Sequence, residues 1–281
     1  MIEIVNQGIG SSFQDLGRVG YAHLGVGRSG AADHASHRLA NRLVGNQESA
    51  ATIETCGGLH VRVHRHVAVV VTGAQGMIEV HQGPPMAVNA VAHLSAGAEF
   101  TLRPPDEGVR YYLAVRGGFE IDPVLGSRSF DTLAGIGPRL EGGARVAIGP
   151  DPMSPMSTDL GIRPPLSTLV HLSEGPRRDW FTDQAWSILT TRAFVVSASA
   201  NRVGARLSGP ALDRCVNREL PSEGLVEGAI QVPPDGQPIV MLADQPLTGG
   251  YPVIAVVAPA HVPSVAQARP GTELRFRYSA G

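Results

Sequence analysis

Apolar and polar residues alternate most plainly over residues 59–73, LHVRVHRHVAVVVTG. Val61, Val63, Val67, Val69 and Val71 fall on one side of an extended chain and His60, Arg62, His64 and His66 on the other, because successive strand side chains point to opposite faces. The pattern predicts one strand with an exposed polar face. Shorter runs predict strands at 2–5, 77–80, 86–88, 99–103, 111–115 and 145–148, separated by turns such as Gln82-Gly83-Pro84-Pro85 and Pro104-Pro105-Asp106-Glu107-Gly108. Later strands are expected at 169–172, 194–197, 206–208, 228–232, 238–242, 252–257 and 274–278. Helical spacing is rare. Asp33 can cap a helix carrying Ala35 or Ser36, Leu39 and Leu43 that stops at Gly45-Asn46, and Thr182 can cap one over 183–189. Many strands with little helix indicate a mainly β protein, a barrel or a sandwich.

Two polar, glycine-rich loops stand out from this background. Residues 8–33 carry too many glycines for a helix and present Gln14, Asp15, Arg18 and Ser29. Asp15 and Arg18 suit a self-bracing ion pair, the preferred reading, or an anion site built on Arg18 and backbone N–H groups. Residues 222–257 read as two strands joined by Pro233-Pro234-Asp235-Gly236, then a loop from Asp244 to Tyr251 holding Gly249-Gly250, then a buried strand. Polar side chains there would sit where rigid scaffold meets loop. His34 and His37 are expected on a solvated helix face. Same-face residues of a straight strand lie roughly 6.6 Å apart, too far for His60, His64 and His66 to share one ion. No metal site is expected.

Pro104-Pro105-Asp106 and Leu113-Ala114 recur as Pro233-Pro234-Asp235 and Leu242-Ala243, both 129 positions later (233 − 104 and 242 − 113). Residues 149–165, rich in Pro, Ser and Asp, look like a linker. Together these suggest a duplicated β domain, 1–160 and 161–281, with a cleft between the halves as the natural place for a site.

Composition then narrows the chemistry. A net charge of −2 offers no field for nucleic acid or anionic lipid. No basic apolar leader and no run of membrane-spanning length is evident. Two cysteines, Cys56 and Cys215, make no disulfide framework, so a reducing cytoplasm and buried filler roles are expected. All 23 basic residues are arginine. Covalent biotin, Schiff-base chemistry and a Walker lysine are therefore impossible on this chain. No G-x-S-x-G, P-loop, H-E-x-x-H or C-x-x-C is present. These residues alone do not choose between an enzyme and a binding module.

A family resemblance adds to them. Ser12-Phe13-Gln14-Asp15-Leu16-Gly17-Arg18, Ser29-Gly30-Ala31-Ala32-Asp33, Arg38-Leu39-Ala40-Asn41-Arg42-Leu43, Tyr112-Leu113-Ala114-Val115, Gly126-Ser127-Arg128-Ser129, Asp179-Trp180-Phe181, Ser222-Glu223-Gly224 and Thr248-Gly249-Gly250-Tyr251-Pro252 are similar to the 5-oxoprolinase C-subunit family. This family is also called biotin-dependent carboxyltransferase, allophanate hydrolase subunit 2 or KipA-like. The resemblance implies two cyclophilin-like β-barrel domains with a few short helices. It implies an obligate complex with a B-subunit (allophanate hydrolase subunit 1 or KipI-like), and a third subunit, converting 5-oxoproline to L-glutamate with ATP. Carboxybiotin on another chain with a urea-type substrate, or a non-enzymatic KipA-like regulator, are the alternatives. The implied catalytic residues are Asp15, Arg18, Glu223 and Asp244. The implied substrate-binding residues are Gln14, Ser29, Asn201, Arg202, Gln231, Thr248, Gly249, Gly250 and Tyr251. Arg18 and Arg202 would hold a carboxylate or phosphate, Glu223 or Asp244 would accept a proton, and N–H groups at Gly249-Gly250 would stabilise an oxyanion. Arg18→Ala and Asp244→Asn are expected to cut turnover while sparing the fold. Gln245-Pro246-Leu247 departs from the family pattern.

Overall fold

The computed structural model describes residues 1–162 and 165–279. Positions 163 and 164 of the predicted linker, and positions 280 and 281, lie outside the described residues. The chain divides into two compact units, and the division is not a single cut. Met1–Arg18, Ser29–Asp131 and Gly135–Pro165 make the first; Val19–Arg28, Thr132–Ala134 and the chain from Leu166 make the second.

In the first unit the strands form two sheets. The six-stranded sheet runs in the order Phe119–Glu120, Arg145–Ile148, Ile2–Asn6, His60–Val63, Glu99–Leu102, Ile78–Val80. The five-stranded sheet runs Ser12–Gln14, Thr52–Thr55, Glu107–Val115, Val67–Gln75, Ala92–Leu94. One apolar cluster joins them, with Ile2, Ile4, Val61, Val63 and Phe100 from the first and Phe13, Ile53, Val69, Val71 and Leu113 from the second. Each such side chain, taken out of water, is worth about 1.5–3 kcal/mol. The far face of the five-stranded sheet is covered by the helix His34–Leu43, whose Leu39, Ala40 and Leu43 meet Val70, Tyr112 and Ala114. Asp33 starts that helix by accepting from Ser36 N at 3.0 Å.

In the second unit seven strands close a barrel: Leu169–Glu174, Val253–Val257, Ala229–Gln231, Ile239–Met241, Gly204–Ser208, Ala193–Val196 and Glu273–Tyr278. A parallel pairing of Leu169–Glu174 with Glu273–Tyr278 completes the ring. Val170, Phe194, Ile230, Val240, Ile254 and Phe276 are fully buried within this unit. The helix Asp183–Thr191 begins at Thr182, whose hydroxyl accepts from Ala185 N at 3.0 Å. The mainly β expectation therefore holds, with three short α-helices among the described residues. Among those residues no helix is long and apolar enough to cross a membrane.

Several local expectations need correction. The run 59–73 is two strands, because the chain turns at His64–His66 and passes from one sheet to the other. The valines keep their common side. His60, Arg62 and His64, however, are half-buried against carboxylates rather than forming an open polar face: His60 Nε2 lies 2.8 Å from Glu99 Oε2, Arg62 Nε donates to Glu99 Oε1 at 2.8 Å, and His64 Nε2 lies 2.7 Å from Glu3 Oε2. His37 is fully buried, not solvated. It shares the helix stripe with Ala40 and Asn41, and its ring nitrogens lie 2.9 Å from Thr52 Oγ1 and 3.0 Å from Glu48 O. Residues 86–88 make only a bridge to Ile78, while Ser12–Gln14 inside the glycine loop is a strand. Neither cysteine is core filler: Cys56 is half-buried and Cys215 exposed. The glycine pairs that follow the two Leu-Ala repeats differ in backbone: Gly117 and Gly118 have φ of +91° and +72°, whereas Gly249 and Gly250 stay outside the left-handed region.

Candidate functional site

Predicted site residues fall into three groups, one in the first unit and two in the second. In the first unit, the strand Ser12–Gln14 delivers Asp15 to a buried turn. Asp15 Oδ1 accepts from Gly17 N at 2.8 Å and from the hydroxyls of Ser127 and Ser129 at 2.6 Å, and Oδ2 accepts from Arg128 N at 2.6 Å. Burial pushes its pKa up, but these four hydrogen bonds outweigh burial and hold it below the ordinary carboxylate value. Such a carboxylate is a poor base and a good brace. The expected Asp15–Arg18 pair does not form. Arg18, 2% exposed, instead donates to the carbonyls of Ser129 and Val124, and its Nη1 is buried without a hydrogen-bond partner. Gln14 donates to Ser12 Oγ and Phe130 O at 2.8 and 2.9 Å, leaving its buried Oε1 unpartnered. Ser29, 3% exposed, holds φ at +52°. That left-handed backbone costs of order 1 kcal/mol in a residue with a Cβ. Next to it Gly30 holds φ at +106°, where a side chain would be strained, and a Cβ would crowd Gly17 N at 3.0 Å.

The first group of the second unit centres on Arg202 and Asp244. The guanidinium donates Nε–H to Oδ2 at 2.8 Å and Nη2–H to Oδ1 at 2.9 Å, a two-point contact. Thr132 adds its N–H and hydroxyl to Oδ2 at 3.0 and 2.7 Å. Asp244 N also donates to Arg202 O, so side chain and backbone lock the two strand ends together. Within electrostatic reach is Glu227, set by the bond from Gly228 N to Met241 O at 2.8 Å. Burial raises the Glu227 pKa; Arg28 and Arg202 oppose that rise and the Asp244 charge adds to it.

In the second group the short pair Glu223–Gly224 and Thr248–Gly249 aligns Glu223 with Gly249. Glu223 is bound by Arg177 through both carboxylate oxygens, which lowers its pKa. Gln231 Nε2 donates to Tyr251 O at 3.0 Å, and a Cβ on Gly249 would lie 2.6 Å from that same Nε2. A side chain there would have to displace the end of the Gln231 amide, so the glycine leaves that amide where it meets Tyr251 O. Thr248, Gly250 and Tyr251 are exposed or nearly so. Asn201 belongs to neither group. Its Oδ1 accepts from Val203 N and Gly204 N, which shapes the turn leading to Arg202.

Sequence reasoning missed Thr132, Arg177 and Glu227. Thr132 and Arg177 are single polar residues in loops, and Glu227 lies between an exposed Val226 and a glycine. A cavity of about 430 Å³ in the second unit is lined by Arg214, Asn217 and the Pro233–Gly236 turn and contains none of the expected site residues.

Over 98% of its length the chain is 36% identical to the 5-oxoprolinase C-subunit of Escherichia coli (strain K12), covering 90% of that protein. Urea amidolyase of Saccharomyces cerevisiae (strain ATCC 204508 / S288c) is 30% identical over 98% of this chain, which spans 16% of that much longer protein. The crystal structure of TTHA0988 superposes on 99% of this chain with a TM-score of 0.88 and 34% identity, and this chain spans 55% of the length of that one. The family model for the carboxyltransferase domain, subdomain A and B, matches residues 24–278. On these matches the chain belongs to the carboxyltransferase-domain family.

Proposed function

We propose that this chain is the C-subunit of an ATP-dependent 5-oxoprolinase of the cytoplasm, opening 5-oxoproline to L-glutamate in an obligate complex with a B-subunit and a third subunit. The observation that carries this reading is the similarity to the Escherichia coli C-subunit, which spans 98% of this chain and 90% of that protein. The absence of lysine among the 23 basic residues fits such a division of labour, with ATP handled by a Walker-type or other site on a partner. Within the first unit by itself, the Arg18 Nη1 that has no partner would suit an anionic group, since a buried guanidinium gains most from an anion. In the second unit Glu227 replaces Glu223 and Asp244 as our candidate proton acceptor. Glu223 and Asp244 are tied to guanidinium groups, whereas burial keeps Glu227 basic. Arg202 and Asp244 then act as positioning residues for the loop that carries Thr248 to Tyr251.

A second reading, a carboxyltransferase working with carboxybiotin from another chain, draws support from the family model itself. The Gln245-Pro246-Leu247 departure bears on the choice, because Gln245 Oε1 is buried without a hydrogen-bond partner and could select a substrate N–H. The deciding experiment reconstitutes the chain with its B-subunit and the third subunit. Glutamate formed from 5-oxoproline with matching ATP use is the expected result. Carboxyl transfer from carboxybiotin to urea without oxoprolinase activity would replace it with the second reading. A tight complex with neither activity, unaffected by Arg18→Ala, would make the chain a regulator.

A further inference from the structure

We propose that His60, His81 and Glu99 form a Zn²⁺ site on the first unit, separate from the residues assigned above. A straight strand holds its same-face histidines too far apart to share zinc, and the folded chain escapes that limit by drawing one histidine from residues 59–73 and two ligands from its neighbours. His60 opens the strand His60–Val63, and Glu99 opens the adjacent antiparallel strand, with Arg62 opposite Glu99. His81 follows the edge strand Ile78–Val80 and is fixed by its N–H donating to Glu99 O at 2.8 Å. One ligand atom from each residue lies within 4.8 Å of the other two, and among the described residues no other three His, Cys, Asp or Glu side chains converge in this way.

The distances suit a tetrahedral ion. Ligands about 2.1 Å from zinc are about 3.4 Å from one another. His60 Nε2 is 2.8 Å and His81 Nδ1 3.7 Å from Glu99 Oε2, and the imidazole centroids are 4.7 Å apart. Small rotamer adjustments bring all three onto one ion. Surrounding groups already point the ligands inward. His81 Nε2 lies 3.1 Å from Thr101 Oγ1, so donation there leaves the Nδ1 lone pair facing the site. Arg62 takes Glu99 Oε1 at 2.8 Å, leaving Oε2 for the metal. The charge of Arg62 is shared between Glu99 and Glu3, and Glu3 also faces Arg145 and His64. With His81 37% exposed, water can fill the fourth position. Two imidazoles and one carboxylate suit zinc, nickel or copper, whereas magnesium and calcium require oxygen ligands. The stacked pairs His66–His93 and His171–His261 belong to no such converging set of three among the described residues.

The test is isothermal titration of ZnCl₂ into the tag-free full-length chain, with Mg²⁺ in excess. One equivalent should bind, and thermal unfolding should shift upward with zinc concentration. His81→Ala, at an exposed position, should leave the metal-free fold unchanged and weaken binding at least tenfold. Thr101→Val should weaken it about 10–100-fold through ring orientation alone. A His66→Gln/His93→Gln double variant should bind as the wild type does. Absence of one-to-one binding, or binding that survives His81→Ala, would overturn the proposal. Loss of binding in the His66/His93 variant instead would do the same.

Discussion

Separating Arg202 from Asp244 tests the central contact of the second unit. Asp244 is 1% and Arg202 7% exposed, so neither group can be rehydrated where it stands. Asp244→Leu leaves a buried guanidinium without its carboxylate and strands the N–H and hydroxyl of Thr132. Breaking one side of such a pair costs about 3–5 kcal/mol. Arg202→Met should cost less, because Thr132 still donates twice to the remaining carboxylate. The double variant should recover a large part of the sum, since a buried pair exchanged for apolar residues is often close to neutral. On the same grounds Asp244→Asn should destabilise this unit, where the sequence alone suggests that it spares the fold. An NH₂ in place of either oxygen would face a donor from Arg202 or Thr132. The chain has two tryptophans, Trp180 and Trp186, both in the second unit, so their fluorescence follows the unfolding of that unit alone. At a urea slope of about 2 kcal/mol per M, a loss of about 4 kcal/mol moves the midpoint by about 2 M. Single-variant shifts below about 0.5 M, or a double variant equal to the sum of the singles, would refute the reasoning.

Two further outcomes follow from proton binding. Burial lowers the His37 pKa from 6.5 to about 4. The unfolded chain therefore binds a proton that the folded chain refuses. The associated stability is complete above pH 6.5 and falls as pH drops towards 4, by roughly 3 kcal/mol over that window. His37→Gln should flatten this slope in urea unfolding followed by circular dichroism, and an unchanged slope would show that another group is responsible. Glu227 has the opposite sign. Its raised pKa makes the folded chain hold a proton longer, so stability falls as pH rises from the ordinary carboxylate value to the raised one, then levels off. Glu227→Gln should remove that fall. If Glu227 accepts a proton in catalysis, the variant should also cut kcat by about 10²–10⁴ with little change in KM. A variant that keeps full activity would return the role to Glu223 or Asp244.

What could be read in advance, and what could not, follows from what a hydropathy pattern encodes. It records partition between water and an apolar interior. The barrel strands Ala229–Gln231, Ile239–Met241 and Val253–Val257 fall within residues 228–232, 238–242 and 252–257 because each turns apolar residues inward between polar turns. Thr52–Thr55 escaped because its polar side chains are buried: Glu54, 1% exposed, accepts from Ala32 N and the Tyr112 hydroxyl, and Thr52 lies beside His37. A buried carboxylate with partners looks the same in sequence as an exposed one without them. The buried His37, held by Thr52 and Glu48, is indistinguishable in sequence from a solvated one for that reason. The site follows the same rule one level up. Asp244 and Arg202 could be picked out as polar residues at strand ends, yet their pairing, 42 positions apart, is a property of the closed barrel. Glu227 has no local signature, because its proton affinity is set by burial and by Arg28, Arg202 and Asp244, drawn from three separate stretches of chain. One of those stretches, Val19–Arg28, joins the second unit from far upstream in sequence. Side chains that seal a strand into its sheet are therefore legible from their neighbours in sequence. Side chains whose chemistry depends on charges brought together by topology become legible only once the fold is known.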